Sequence, residues 1–570
     1  MKYLLSSVCV VLIAANVFSQ APQVIETSPV SQSMVTAPND PITITFDQPL
    51  NEATVTPNTF RVFGRWSGPM EGTYSFSAGS TVVKFTPVRN FFYGEWVRVG
   101  LSNGIQNTTG IPLTNGYGFN YWTKALPASL DLELVGQIDM RLPGEGQITC
   151  YGAYAGDVND DEFSDLVVIT EDSDDIRVLL HDGSNGYDPF IVIELPPVQG
   201  PSTNEGADFN NDGLIDMAIG STWADQVNVL LGDAGTIFGS QMNYQTGEGV
   251  RGLAIADLNG DGWDDIVTAN RAASTISILM NDGTGIFEPA VNIDSGFDGE
   301  TSIAAVDLND DGYVDLLVAA YDGNRLVSLL NDGTGNFTVF DSVITGGNPW
   351  MIAIGDVNGD GFVDVAVANS TSHNIAIVMT DGSGGLQFDR YYAVGDFPVA
   401  IDLGDIDGDG DLDFISSNFN GPNYILMEND GSGTFVNPRI YPSPFHAACA
   451  TIHDRNNDGA MDISMIDEGE DVVLLYNNTL SLGDDGPVAD MGLTLYPNPF
   501  NFIIYVSGTI IGPVRLELYD VNGRQLFSRY MGNSKQFDIG EIGLSEGIYI
   551  AKLFHNGNTQ KIKMYKTSQN

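Results

Sequence analysis

The stretch Asp307-Leu308-Asn309-Asp310-Asp311-Gly312-Tyr313-Val314-Asp315 sets acidic and amide side chains at every other position around a single glycine. Its pattern, Asp-x-Asn/Asp-x-Asp-Gly-x-x-Asp, recurs seven times, starting at Asp157, Asp208, Asp257, Asp307, Asp356, Asp405 and Asp454. Successive starts lie 51, 49, 50, 49, 49 and 49 residues apart, and so regular a period means one supersecondary unit per repeat. Alternating apolar residues lead into each copy, as in Leu253, Ile255 and Leu258, and a β-rich run such as Asp315-Leu316-Leu317-Val318 follows. A third strand such as Val327 to Leu330, the turn Asn331-Asp332-Gly333-Thr334-Gly335 and a fourth strand opening at Phe337 complete the unit.

Four antiparallel strands per repeat predict a blade, and the ends of the array decide between an open stack and a ring. The last repeat offers Val472 to Tyr476 as its third strand and then runs into Asn477-Asn478 with no fourth, while a surplus strand, Leu132 to Asp139, precedes the first repeat. The segment 132–142 therefore completes blade 7, and 132–479 is predicted to close as a seven-bladed β-propeller with no exposed sheet edge. Cys150 and Cys449 precede the first and last loops by seven and five residues, so they form either a bridge between neighbouring blades or two buried free thiols.

In each loop the side chains at positions 1, 3, 5 and 9 and the carbonyl at position 7 can converge on one hard cation, with glycine at position 6 permitting the turn. The candidate ligands are Asp157, Asn159, Asp161 and Asp165; Asp208, Asn210, Asp212 and Asp216; Asp257, Asn259, Asp261 and Asp265; and Asp307, Asn309, Asp311 and Asp315. Blades 5 to 7 add Asp356, Asn358, Asp360 and Asp364; Asp405, Asp407, Asp409 and Asp413; and Asp454, Asn456, Asp458 and Asp462. An EF-hand needs an acid at position 12, where these loops carry Val168, Ile219, Thr268, Val318, Val367, Ser416 and Met465. Loop 1 is the weakest site because Glu162 stands where the others have glycine. With dissociation constants of about 0.1 mM and calcium at about 1 mM, each ion contributes about 1.4 kcal/mol, so up to seven Ca2+ ions would act structurally.

The whole chain agrees with an extracellular setting. Its 570 residues carry a net charge of −51, which disfavours nucleic acid and anionic lipid as partners. Met1-Lys2, the apolar run Leu4 to Ala15 and Val17-Phe18-Ser19 read as a signal peptide over 1–19, and no transmembrane segment is expected later. Residues 22–124 alternate apolar and polar over Ile42 to Phe46, Val82 to Phe85 and Trp96 to Val99, an all-β unit. After a linker over 480–492, the segment 493–570 shifts in composition, with eight Lys/Arg against five Asp/Glu.

These features resemble known families. The repeats resemble FG-GAP/VCBS repeats, as in the propeller of integrin alpha chains, which implies calcium in the loops between strands 1 and 2 but no integrin partnership. Pro57 to Gly64 and Phe91 to Glu95 resemble the bacterial Ig-like domain, whose usual role is spacing or presentation. Leu495 to Phe500, Leu516 to Arg524 and Leu544 to Tyr549 resemble the type A C-terminal sorting domain of type IX secretion, implying a small β-sandwich, the type IX secretion machinery as partner, and a secreted or cell-surface product.

The metal loops are nearly uniform from blade to blade, whereas the loops joining strands 2 to 3 and 4 to 1 vary. The variable loops carry Trp223, Arg271, Phe297, Tyr321, Arg325, Trp350, His373, Phe397, Phe445 and His446, which the strand order places on one face. Such rings suit an extracellular glycan or protein ligand. A polysaccharide lyase is the alternative, with His373, His446 or Arg325 as the base; no nucleophile elbow, zinc motif or phosphate loop is present.

Overall fold

Seven consecutive four-stranded antiparallel sheets carry the middle of the chain, each made of strands in sequence order except the last. The computed structural model describes residues 20–183 and 186–480 and, beyond residue 493, parts of the C-terminal segment, chiefly its strands. The predicted signal peptide, the linker from 481 onward and the sorting-domain residues 497–500, 520–524 and 545–546 lie outside the described residues. Blade 4 is representative: Glu300–Val306, Asp315–Ala320, Arg325–Asn331 and Phe337–Ile344 pair in that order, and all six residues of the second strand are buried. Leu316 and Val318 point toward blade 3 while Leu317 and Ala319 point toward blade 5, so the two faces of a strand feed two inter-blade cores.

The ring closes as the sequence predicts. Blade 7 consists of Ala447–His453, Asp462–Asp467, Val472–Asn477 and, from the far end of the propeller, Glu133–Asp139. Val472 pairs with Asp139 and Asn477 with Glu133. At the seam, the buried His453 of blade 7 meets Ser164 of blade 1 through Nδ1 at 2.8 Å and Ser464 through Nε2 at 2.8 Å. Burial lowers its pKa to about 3, so the imidazole is neutral there. Cys150 and Cys449 flank the same seam as free thiols, which decides against the bridge.

The N-terminal unit is a sandwich of two four-stranded sheets, Val24–Ser28, Ile42–Phe46, Val82–Pro87 and Gly72–Ser77 against Gly68–Pro69, Phe60–Gly64, Trp96–Leu101 and Tyr117–Trp122. It does not stand off from the ring as a spacer would. The sandwich sits on the face that carries the acidic loops: the amides of Asn103, Gly118, Leu126 and Ala128 donate to the carbonyls of Gly260, Gly312, Gly459 and Asp407 at 2.7–2.9 Å. A Cβ on Gly260 would lie 1.9 Å from the Asn115 carbonyl, so this close approach requires glycine. Beyond residue 493, a three-stranded and a four-stranded sheet share one core that includes Ile504, Phe537, Leu516 and Leu553. The described residues contain no helix long and apolar enough to cross a membrane.

Excising residues 132–142 removes the pairing of Glu133–Asp139 with Val472–Asn477 and leaves the third strand of blade 7 as an open edge. The loss of about six backbone pairs predicts a destabilisation on the order of 5 kcal/mol. It also predicts self-association through the free edge. Denaturant unfolding and size-exclusion chromatography of the deletion variant check both.

Candidate functional sites

Every acidic loop adopts the same backbone. Position 6 has positive φ throughout, from Gly312 at 85° to Gly410 at 101°, and Glu162 holds the same left-handed conformation at 67°. Position 4 is left-handed as well, and accordingly is always Asp, Asn or Gly (Asp160, Asn211, Gly260, Asp310, Gly359, Gly408 and Asn457). In loop 3, Asp257 accepts the amides of Asp261 and Gly262 at 3.1 and 2.8 Å, Asn259 accepts Asp261 N at 2.9 Å, and Asp261 accepts Trp263 N at 2.9 Å. These bonds fix the side chains of positions 1, 3 and 5 against the loop's own backbone.

The ninth-position aspartate has a second task. Asp315 accepts Leu308 N at 3.0 Å with Oδ2 and Asn331 N at 2.8 Å with Oδ1. One carboxylate thus ties the start of the loop to the end of the third strand. The second bond recurs in all seven blades, received from His181, Gly232, Asn281, Asn331, Thr380, Asn429 and Asn478 at 2.6–3.1 Å. Where the donor residue is asparagine, its side chain reaches the loop of the preceding blade: Asn281, Asn331, Asn429 and Asn478 donate to the carbonyls of Phe209, Leu258, Val357 and Ile406, each at 2.8 Å. From the sequence, Asn331 reads as a turn residue only. The recurrence of asparagine sixteen residues after the ninth-position aspartate in four blades is the signal that identifies the set.

Among the described residues, loop 6 alone gathers three carboxylate side chains closely enough to share one cation. Ligand oxygens of Asp405, Asp407 and Asp409 lie within 4.8 Å of one another. Both oxygens of Asp405 and Oδ1 of Asp411 are shut off from solvent without a well-formed hydrogen bond, the Gly410 amide offering Asp405 only a poor one. Asp411, at position 7 of this loop, is a fifth acid that the sequence reading did not include. Burial raises the ninth-position carboxyls, Asp165, Asp216 and Asp462 to about 8 and Asp315 and Asp364 to about 7. Asp257 and Asp405 at position 1 rise to about 7 for the same reason. Carboxylates so crowded and desolvated take up either protons or a cation.

Loop 1 does not fit as the others do. The Arg89 guanidinium, from the sandwich, lies 3.2 Å from Asp157 Oδ2 and 3.6 Å from Asp160, and donates to the Ser67 carbonyl at 2.6 Å. Arg61 stays farther from its loop-2 carboxylate, at 4.0 Å from Asp208 Oδ2, and bonds instead to the carbonyls of Asp208 and Gly262. Only loop 1 combines the missing glycine with an arginine at its first ligand.

The opposite rim gathers most of the expected recognition residues into one arc. Arg271 of blade 3 lies 4.2 Å from the Tyr321 ring and 5.0 Å from that of Trp350; Trp350 leads to Phe397 at 6.3 Å, Phe397 to Phe419 at 6.5 Å, and Phe419 stacks on His446 at 4.2 Å. Phe445 continues the arc at 4.2 Å from His446 and is 54% exposed. Trp223, 47% exposed, and Arg325, over Phe297 at 5.0 Å, stand apart from it. Of the candidate bases, His373 Nδ1 lies 3.0 Å from Asp396 and accepts the Phe397 amide, His446 Nδ1 faces the Phe419 carbonyl, and Arg325 donates to Ser342 Oγ.

A ring of seven equivalent residues lies just inside this rim. The first strand of every blade carries a register shift at one residue: Tyr151, Ser202, Arg251, Thr301, Trp350, Val399 or Ala448. A bulge re-aims its side chain out of the sheet pattern. Trp350 Nε1 donates to Tyr151 Oη at 3.2 Å, joining blade 5 to blade 1, and Arg251 lies 5.5 Å from the Tyr151 ring and 3.3 Å from Glu171. Tyr151 and Arg251 were absent from the expected face.

A many-bladed ring with acidic strand 1–2 loops defines a class of repeat propellers, and the comparisons name it. The FG-GAP-like repeat matches in overlapping windows 157–219, 208–268, 257–318, 307–367, 356–416 and 405–465, over half of the chain, so the chain belongs to the FG-GAP-like repeat family. The bacterial Ig-like domain matches 19–123 and the secretion system C-terminal sorting domain 494–566. The sorting domain marks a protein handled by the type IX machinery and exported to the cell surface or secreted. No curated protein matches the chain. Among solved structures, similarity extends to an Agrocybe aegerita lectin described by its specific recognition of non-reducing terminal N-acetylglucosamine (16% identity, 74% of this chain and 98% of that one, TM-score 0.38). A protein from Lactobacillus plantarum is also similar (15% identity, 68% and 97%, TM-score 0.39).

Asn331→Ala strips the buried carbonyls of Leu258 and Val314 of their side-chain donor. The expected cost is about 1–3 kcal/mol in denaturant unfolding of the full chain. Thr338→Ala, in the neighbouring outer strand, serves as a control expected to change little.

Proposed function

We propose that the protein is an extracellular recognition module in which bound calcium braces the ring and the aromatic rim holds a glycan or protein ligand. The arc from Arg271 to Phe445 carries this reading. One face of the ring is occupied by the sandwich, which bonds to loops of blades 1, 2, 3, 4, 6 and 7, so a ligand has the other face. There, rings from blades 4 to 7 adjoin, Arg271 of blade 3 lies over Tyr321, and Phe445 in the arc and Trp223 apart from it are substantially exposed; aromatic side chains with arginine are common binding anchors. A glycan array, paired with pull-down from extracellular matrix, tests it. Trp223→Ala or Phe445→Ala is expected to weaken capture about tenfold or more while leaving the melting temperature nearly unchanged; capture indifferent to both variants would refute the rim as the binding face.

Calcium in loops 2 to 7 would supply the positive charge that the buried carboxylates lack, with Arg89 serving that purpose in loop 1. The expected stoichiometry is therefore six ions. The pH dependence follows from the raised carboxyls. In chelator, folded aspartates with pKa values of about 6 to 8 hold protons that the unfolded chain releases near 3.8, so their contribution to stability is complete below that value. It is lost as pH rises through the folded values, and the ion-free ring is weaker at about pH 8 than at about pH 5. Calcium displaces the protons, so the gap in melting temperature between calcium and chelator widens over the same interval. Calorimetric scans at the two pH values and metal analysis of the protein check the pair; seven ions in the native chain, or a gap that narrows with rising pH, would contradict the assignment.

A further inference from the structure

We propose that the groove between the first strand of the sandwich and the acidic loops of blades 4 and 5 docks an extended basic segment of a partner polypeptide, which adds to the open edge of Val24–Ser28 and turns its lysine or arginine side chains toward Glu26 and Asp310. The groove lies on the acidic-loop side of the ring, away from the rim, so the inference goes beyond the reading above. Its volume is about 600 Å³. Residues of the segments 22–27 and 30–32 form one wall, and parts of 307–313 in blade 4 and 361–363 in blade 5 form the other. Among the described residues, blade 5 is the one blade whose acidic loop receives no hydrogen bond from the sandwich, and the groove opens there.

Backbone and charge together select the occupant. Val24–Ser28 ends its sheet, paired with Ile42–Phe46 on one side and with no strand on the other. An edge strand keeps amides and carbonyls that an extended chain can take up in register, which a helix cannot. Ile25 and Val30 are each 62% exposed and Phe362, across the groove, 39%, giving apolar side chains of the segment a place beside the charged ones. The charge of the lining has one sign: Glu26, Asp307, Asp310 and Asp311 are present, and no lysine, arginine or histidine is. Asp307 and Asp311 belong to the candidate cation ligands of loop 4, but Glu26 and Asp310 do not, so the groove is acidic whether or not that loop holds an ion. Opposite charge on the partner is what such a surface selects, and it also speeds the encounter.

The probe is a fluorescently labelled peptide of about eight residues that alternates lysine with valine and threonine, long enough to span the strand. Anisotropy reads its binding to the full chain in calcium at about 0.15 M salt, where long-range attraction to the acidic protein as a whole is screened. Saturable binding is expected, with slower amide hydrogen exchange in Val24–Ser28. Glutamate in place of each lysine, or N-methylation of the peptide's backbone amides, is expected to abolish it. The double variant Glu26→Lys with Asp310→Asn is expected to weaken binding at least about fivefold. Asparagine already holds the equivalent left-handed position in loops 2 and 7, as Asn211 and Asn457, so the second change spares the loop backbone. Glu288→Lys, at an exposed position of blade 3 outside the groove, is the charge control and is expected to change little. Equal binding of the N-methylated peptide would overturn strand addition, and equal binding of the acidic peptide would overturn the charge selection. A loss in Phe445→Ala as large as in the double variant would move the peptide to the rim and overturn the groove. Absence of saturable binding would overturn the proposal outright, as would self-association in size-exclusion chromatography that the double variant abolishes, since the edge would then belong to a second copy of the chain.

Discussion

The ninth-position aspartate is the constraint on which the ring depends. In all seven blades this side chain is buried, and its carboxylate holds the amide at the end of the third strand. In six of them it also holds the second residue of the loop. The three inner strands of a blade are therefore pinned at one end through a single charged group. A carboxyl buried so deeply is driven toward its protonated form, and Asp165, Asp216 and Asp462 are raised to about 8. The residue that fixes the blade thus also creates an electrostatic deficit.

The same deficit accounts for where the N-terminal sandwich binds. Seven acidic loops on one face make a strongly negative surface, and the sandwich answers with Arg61, Arg89 and Arg98, each of which ends on a loop carbonyl or carboxylate. Backbone bonds to Gly260, Gly312 and Gly459 then seat it at close range, which side chains at those positions would prevent. In loop 1 the two compensations meet. Glutamate replaces glycine without changing the backbone conformation, and an arginine stands at the first carboxylate. A guanidinium delivered by a neighbouring domain is permanent and directional, whereas a bound ion comes and goes with its concentration.

Much of this was legible from the sequence because it is periodic. Seven copies at a near-constant spacing gave the blade number, and a missing fourth strand after Tyr476 with a surplus one before Cys150 gave the closure. What escaped was aperiodic or displaced. Docking of the sandwich depends on surfaces brought together by folding, between residues such as Arg61 and Gly262 that are 201 positions apart. Tyr151 and Arg251 were missed because strand alternation assumes an unbroken register, and each sits on a bulge where that register slips. The asparagines Asn281, Asn331, Asn429 and Asn478 look like ordinary turn formers until their side chains are seen to reach the preceding blade.

The bulges also explain how a ring this repetitive can recognise anything particular. Residues on either face of a blade strand are held to similar sizes, because each packs against an adjoining blade and a change of even one methylene is felt. The bulged position varies more: its seven equivalents run from Ala448 to Trp350, and two of them bond to the adjoining blade, Ser202 Oγ to the Val250 carbonyl at 2.7 Å and Thr301 Oγ1 to the Pro349 carbonyl at 2.8 Å. The loops between strands 2 and 3 and between strands 4 and 1 also vary, although side chains tie them to one another, as Asp174 does by accepting the amides of Val198, Gln199 and Gly200 at 2.6–3.0 Å. Variation is therefore confined to one end of the ring by the packing of the rest. The end that varies is the end the sandwich leaves open, and the aromatic side chains that have collected there are the ones the blades do not need.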